Sequence, residues 1–386
     1  MAELNETPKS ARIHIAFFGL RNAGKSTLVN AFTGQNIAIV SDVAGTTTDP
    51  VSKAMEILPL GPCLITDTAG LDDIGELGKM RVEKSLNVLA TSDIAVWVVA
   101  EDEDKAEARG IKERFKEEVE KRKITLFEYR REDSVEELKK KIAAAKICNA
   151  EPRLLDGIAT KSTHVICVCP IDESAPKGRL ILPQVQLIRE CLDIGALASV
   201  CQVENLEKLI RRLLNAGEKD ILVVTDSQAF RDVKGILAKL NEELQIERTV
   251  RLSSFSILFA RQKGDLAEFA KGLNSVQTLA DDDLVVIAEG CTHHRQCNDI
   301  GTVKIPKALE KLSAKKLRFK FLSGGDFAIS EAKLIVQCGG CMLTRREMCR
   351  RIECAKCANI PILNYGILLG GVAGITLKNN LGEVEY

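Results

Sequence analysis

Short apolar runs alternate with helically spaced segments through the first third of the chain. HIAFFGL (residues 14–20) is a continuous apolar run closed by glycine, and AGKSTLVNAF follows it with helical periodicity. CLITDTAG closes a second run, and DIAVWVVA (residues 93–100) forms a third. Strands separated by helices predict a parallel, doubly wound sheet. Charge dominates residues 101–146, predicting helices around 105–121 and 134–146 with a strand at 123–129 between them. THVICVCP (residues 163–170) is a further strand, followed by the Pro- and Gly-spaced connector IDESAPKGRLILP, where a first boundary is expected. Beyond it, a helix at 185–192, the strand ALASVCQV, the helix LEKLIRRLLNAG and the strand-to-turn DILVVTDSQAF predict a second α/β domain. The segment SSFSILFARQKGDLAEFAKGL is expected to begin as strand or loop and end as helix. LVVIAEG, KLIVQCGG and PILNYGI supply strands for a third. The expected domains are residues 1–165, 166–275 and 276–386, all α/β.

Charge narrows the partners. Across 386 residues, 54 Lys+Arg balance 54 Asp+Glu and no long basic run appears, so there is no electrostatic case for nucleic acid or an anionic membrane. Aromatics make up only 4%, which leaves few stacking platforms for single strands. No apolar run reaches the roughly 18 residues that a membrane span needs. The polar start MAELNETPKS carries no apolar core, and a cytoplasmic or anoxic organelle-matrix location is the expectation.

GLRNAGKS (residues 19–26) fits G-x-x-x-x-G-K-[ST] without a mismatch, between a predicted strand and a predicted helix. Gly19 and Gly24 let the loop wrap phosphates, with the N–H groups of Asn22, Ala23, Gly24 and Thr27 available around them. Lys25 neutralises the outer phosphates, and Ser26 supplies an oxygen to Mg²⁺. AGTTTDP (residues 44–50) is a Thr-rich loop that can reach the γ-phosphate, and DTAG (residues 67–70) places Asp67 and Gly70 after a strand, as a P-loop partner requires. A GTP- and Mg²⁺-binding domain is therefore expected, with P-loop architecture.

Residues 12–100 resemble the GTPases related to Era and to the tRNA-modification GTPase. That resemblance implies Thr47 on Mg²⁺ beside Ser26, Lys25, Asp67 and Gly70 as catalytic groups, and a potassium-binding arrangement of Asn22 with the Thr46 region. Leu71 stands where small signalling GTPases carry a catalytic glutamine, so hydrolysis would rest on positioning and electrostatics, slow and potassium-stimulated. One element departs: a guanine-reading N-K-x-D is absent, and KITLFEYRRED stands in its place, with Tyr129, Arg130 and Glu132 the nearest approximation.

Cysteine adds a second chemistry. Of 13 cysteines, Cys291, Cys297, Cys338, Cys341, Cys349, Cys354 and Cys357 lie after residue 290. Cys291 and His293 follow one predicted strand, and Cys338 and Cys341 form a C-x-x-C at the end of another. Three thiolates with a nitrogen or an exogenous ligand suit zinc or an iron–sulfur cluster equally on spacing. Cys354 and Cys357 share a face of a basic helix and read as free thiols, while Cys63, Cys167, Cys169, Cys191 and Cys201 read as buried small hydrophobes and His14 and His164 as structural.

The order of segments resembles the iron-only hydrogenase maturation GTPases, the HydF family. The likeness rests on PIDESAPKGRLILPQVQ, TDSQAF, SFSILFARQKGDL, AEGCTHHRQCNDIGTVKIP, CGGCM and NYGI, which cover most of residues 165–370. It implies a GTPase domain, a dimerisation domain and a domain holding a 4Fe–4S cluster on Cys291, Cys338 and Cys341. It also implies a homodimeric carrier that receives a di-iron precursor from radical-SAM maturases and delivers it to apo iron-only hydrogenase. His293 falls on the first histidine of the family motif C-x-H…H-C-x-x-C, and Gln337 occupies the place of the second. Glutamine is a poor ligand for cluster iron, so three cysteine ligands and a weakly held fourth iron site are expected. Two other readings remain at this stage: a non-hydrolysing iron–sulfur carrier with a vestigial GTPase domain, and a ribosome- or tRNA-associated GTPase with a zinc domain.

Overall fold

The computed structural model describes residues 11–34, 51–73, 75–100, 106–145, 152–171, 178, 180–226, 228–290, 299–324, 327, 329–340, 343–374, 377–378 and 382–384. Contacts divide the chain into two units, Met1–Ala150 and Glu151–Tyr386.

The first unit carries β1 (Ile13–Gly19), α1 (Lys25–Thr33), β2 (Val51–Ile57), β3 (Gly61–Asp67), α2 (Gly75–Thr91), β4 (Ile94–Val98), α3 (Ala106–Lys121), β5 (Thr125–Tyr129) and α4 (Val135–Ala143). Its sheet runs β2-β3-β1-β4-β5. The central strands β1 and β4 are buried on both faces, as their unbroken apolar runs require. The sheet is mixed, whereas the sequence predicted a parallel one: β2 pairs antiparallel with β3. It is an edge strand with alternating exposure, so its VSKAMEI carries no continuous apolar signal. Phe17, Phe32, Ile65 and Val96 fill the core on one face of the sheet, and Phe18, Trp97 and Phe115 the core on the other.

The second unit holds β6 (His164–Val168), α5 (Leu182–Ile194), β7 (Leu197–Cys201), α6 (Val203–Asn215), β8 (Ile221–Thr225), α7 (Phe230–Leu244), β9 (Val250–Ser254), α8 (Phe255–Lys263), α9 (Leu266–Ser275), β10 (Leu284–Glu289), α10 (Ile305–Ser313), β11 (Arg318–Ser323), β12 (Leu334–Gln337), α11 (Arg345–Cys357), β13 (Ile362–Asn364) and α12 (Tyr365–Val372). Two four-stranded parallel sheets result, β7-β6-β8-β9 and β11-β10-β12-β13. The strand β6, read from the sequence as the last of the first domain, pairs with both β7 and β8 and so lies inside the first of these sheets. One continuous apolar core joins both sheets through residues such as Phe230, Phe269, Ile287 and Leu363. Among the described residues, no helix is long and apolar enough to cross a membrane.

Gly272 lets α9 lie directly on β13: a Cβ there would stand 2.1 Å from the Ile362 carbonyl oxygen. Gly272→Ala is expected to destabilise the second unit by about 1–3 kcal/mol through overpacking. Chemical unfolding of the full chain, followed beside binding of a fluorescent GTP analogue, checks this: the transition should weaken while nucleotide affinity stays.

Candidate nucleotide and cluster sites

Parallel register brings the strand ends of the first unit to one edge. Phe17 stands opposite Asp67, Gly19 opposite Val98, and Val98 opposite Tyr129. The loop after β1 turns back through Asn22 (φ 60) and Gly24 (φ 86), both left-handed, and Gly24 caps α1 without a side-chain bond. The loop thus presents the amino end of α1, an anion-binding end, at the sheet edge. Gly19 is required by space, since a Cβ would meet the Val98 carbonyl oxygen at 2.6 Å.

Lys25 is buried, and its Nζ donates to the Leu20 carbonyl at 2.6 Å and to that of Gly19 at 3.4 Å. Burial lowers its amine below the ordinary value, against the pull of Asp67, Asp72 and Asp73. Ser26 Oγ donates to Asp67 Oδ2 at 2.5 Å. Burial pushes the Asp67 carboxyl up, opposed by the Ser26 bond and by Lys25. Asp67 Oδ1 is buried with no hydrogen-bond partner among the described residues. A hydroxyl and an orphaned carboxylate oxygen side by side, behind a phosphate-binding loop, are the oxygen donors a hard divalent cation takes, so the residues present fit Mg²⁺. Gly70 lies against the loop: the Leu71 N–H donates to the Gly19 carbonyl at 3.2 Å, and a Cβ on Gly70 would sit 2.7 Å from Arg21 N.

A cavity of about 810 Å³ extends from Asn22, Ala23, Gly24 and Thr27 to Val98, Tyr129 and Arg131. Asp72, which sequence reasoning passed over, lines it and accepts from Arg21 N at 2.5 Å. Its signal was available in the acidic pair that follows DTAGL. Where a guanine reader belongs, the chain turns on itself: Asp133 Oδ2 accepts from Arg130 N at 2.7 Å, and the Tyr129 hydroxyl donates to the Asp133 carbonyl at 3.1 Å. Thr46 and Thr47 lie outside the described residues.

In the second unit, Cys338 follows β12, and its Sγ accepts from Gly290 N at 3.2 Å and from Gln337 Nε2 at 3.3 Å. Gln337 stands opposite Ala288, so the chain leaving β10 at Gly290 and the chain leaving β12 at Cys338 emerge side by side. Cys291, His293, Cys297 and Cys341 lie outside the described residues. N–H donors converging on a thiol sulfur are the surroundings of an iron–sulfur ligand, so Cys338 fits that role. Gln337 is buried with its amide engaged on both sides, to Cys338 and to Arg351.

The remaining cysteines divide. Cys63, Cys167, Cys169 and Cys191 are buried, whereas Cys201, on the edge strand β7, is only half-buried. Cys354 is half-buried beside Arg350, and Cys357 is exposed on α11. His164 is buried and its Nε2 lies 2.8 Å from Ser199 Oγ, within the sheet.

Three known domain families match the chain. Residues 14–142 match the 50S ribosome-binding GTPase family, 154–264 the hydrogen maturase F dimerization domain, and 267–381 the hydrogen maturase F tetramerization domain. The tRNA modification GTPase MnmE of Endomicrobium trichonymphae is 40% identical over 88 residues, 22% of this chain and 19% of that protein. GTPase Der of Wolinella succinogenes is 40% identical over 100 residues, 25% of this chain and 21% of that protein. The chain thus matches about a fifth of the length of these curated relatives. A crystal structure of Aquifex aeolicus Era bound to GDP and AlF4⁻ aligns at 14% identity with a TM-score of 0.27, covering 81% of this chain and 92% of that one.

Protonation of Asp67 competes with cation binding. Because its carboxyl is raised, the proton is held to higher pH than on a free aspartate, and Mg²⁺ affinity is expected to fall as pH drops through that raised value. Calorimetric Mg²⁺ titration of the GDP-bound protein at several pH values checks this, and Asp67→Asn should flatten the profile. Gly19→Ala should weaken GTP binding by about 5- to 150-fold, because overpacking of roughly 1–3 kcal/mol displaces the loop; equilibrium binding of a fluorescent GTP analogue reads it.

Proposed function

This chain belongs to the hydrogen maturase F family, and we propose that it is a GTP-hydrolysing scaffold that holds a 4Fe–4S cluster and carries the di-iron precursor to apo iron-only hydrogenase. The observation that carries the reading is the pairing, in one chain, of a phosphate-binding loop with an orphaned Asp67 oxygen and of a strand-end Cys338 whose sulfur collects N–H donors. Gly19, Asn22, Ala23, Gly24, Lys25, Ser26 and Thr27 would hold GTP. Ser26, Thr47 and Asp67 would hold or orient Mg²⁺, and Asn22 with the Thr46 region a potassium ion. Bound Mg²⁺ would neutralise charge developing between the outer phosphates. Lys25 offers its ammonium to those phosphates once it leaves the Leu20 and Gly19 carbonyls, and Gly70 keeps the loop after β3 close to them. Cys291, Cys338 and Cys341 would ligate the cluster, with His293 near it. The hydrogen maturase F domain matches favour this reading over a ribosome- or tRNA-associated GTPase with a zinc domain.

Nucleotide state would act through partner affinity for the radical-SAM maturases and the hydrogenase, since a ligand shifts a partner equilibrium only by binding its two states differently. Self-association is supported by the edge strand β7, which leaves Leu197 and Val200 exposed inside the dimerization-domain match. Unpaired edges with apolar side chains invite a second strand.

A second reading has one observation in its favour. Asp133, one residue beyond the Glu132 that approximates the acid of a guanine reader, is spent on its own turn, as a nucleotide-binding carrier without turnover would tolerate. Multiple-turnover phosphate release separates the two: slow, potassium-stimulated release lost in Lys25→Ala supports the GTPase scaffold, and no release supports the second reading. Delivery is tested by loading the chain with its maturases under argon and adding apo-hydrogenase. Hydrogen evolution is expected with the native chain and not with Cys338→Ala. Leu197→Lys with Val200→Lys is expected to lower the sedimenting mass to that of a smaller assembly.

A further inference from the structure

Gln337 has only one orientation open to it. Arg351, which can only donate, places Nη1 3.0 Å from Gln337 Oε1, so the amide nitrogen must face Cys338 Sγ, 3.3 Å away. Arg351 is itself completely buried. Its Nε donates to Glu347 Oε1 at 2.8 Å, its Nη2 to the Gly324 carbonyl at 2.5 Å, and its guanidinium carbon lies 5.0 Å from the centre of the Phe327 ring. Glu347 is held in turn at the start of α11, where its N–H donates to Thr344 Oγ1 at 3.2 Å. Burial works to raise the Glu347 carboxyl, but bonds from Arg350 and Arg351 outweigh it and keep the group below its ordinary value, so it stays ionised. A buried charge pair of this kind is a weak source of stability compared with apolar packing. This one ends, through an amide, on a sulfur atom.

We propose that Glu347, Arg351 and Gln337 form a relay that positions an N–H on the sulfur of Cys338, so that Gln337 serves the bound cluster as a hydrogen-bond donor rather than as an iron ligand. The inference rests on the reading that Cys338 ligates the cluster. The amide oxygen is taken by Arg351, and the amide nitrogen, being a donor, has no lone pair for iron. Hydrogen bonds to the sulfurs are among the controls on cluster potential, because they disperse thiolate charge and so favour the reduced, more negative cluster. Removing this N–H therefore lowers the reduction potential. Gly290 N, the second donor to the same sulfur, is backbone and is untouched by side-chain substitution.

The test uses the full chain, reconstituted anaerobically with iron and sulfide, as wild type, Gln337→Glu, Gln337→Leu, Arg351→Lys and Cys338→Ala. Iron and sulfide content and an EPR-monitored redox titration are read for each, with circular dichroism as the control for folding. Gln337→Glu keeps the shape and the bond to Arg351 but loses the N–H. It and Gln337→Leu are expected to retain the cluster and titrate at lower potential than the wild type. Arg351→Lys, which keeps the charge for Glu347 but frees the amide, is expected to shift the same way and serves if the Gln337 variants do not fold. An unchanged potential in the folded variants overturns the proposal. So does loss of the cluster in folded Gln337→Leu as complete as in Cys338→Ala, since Gln337 would then be a ligand. Full cluster content in Cys338→Ala overturns instead the reading on which the proposal rests.

Discussion

Parallel pairing fixes where strands stop, and this protein hangs its chemistry from those stops. With Phe17 opposite Asp67 and Gly19 opposite Val98, the loop that would wrap phosphates, the acid that would face a cation and the wall of the nucleotide cavity share one sheet edge. The close approach of Gly19 to the Val98 carbonyl sets the spacing, because any side chain there forces the loop outward. The same rule governs the last sheet, where Ala288 opposite Gln337 and Gln337 opposite Asn364 bring Gly290, Cys338 and Tyr365 to one end. Crevices beyond the carboxyl ends of strands are where such sheets bind ligands.

Each site also carries a buried polar group whose desolvation is costly unless something compensates it. At Asp67 one carboxylate oxygen is satisfied by Ser26 and the other has no partner among the described residues. At Arg351 the compensation is internal, through Glu347, Gln337 and the Gly324 carbonyl. The first arrangement suits a site that takes up a cation, and the second suits a rigid support.

Much of the fold was legible because its central strands are continuous apolar runs. Residues 14–20 and 93–100 announce β1 and β4, and the P-loop spacing between Gly19 and Ser26 needs only the strand before it and the helix after it. Two edge strands, β2 and β11, were not legible, although the edge strands β5, β7 and β13 were. β2 alternates Lys53 and Glu56 with apolar positions, and β11, RFKFLS, exposes Arg318 and Lys320, so neither shows an unbroken run. The membership of β6 was hidden for another reason: pairing with β7 and β8 is a non-local fact, and the connector after it looked like a boundary. The relay behind Cys338 was hidden too. RREMCRRIECAKC reads as a basic helix carrying free thiols, and only tertiary packing reveals that Arg351, between the partly exposed Arg350 and the exposed Glu353, is buried. The turn at Asp133 shows the converse, since the missing N-K-x-D was plain in the sequence and the structure supplies what stands there instead.

The central claim is that a GTPase domain and a cluster-bearing strand end operate in one chain. The most direct measurement is EPR of the anaerobically purified, reconstituted and reduced protein beside a Cys338→Ala, Cys341→Ala double variant, with metal analysis of both. The account predicts a reduced 4Fe–4S signal in the native chain that is lost in the variant. Tightly bound zinc in place of iron, with no such signal, would contradict it.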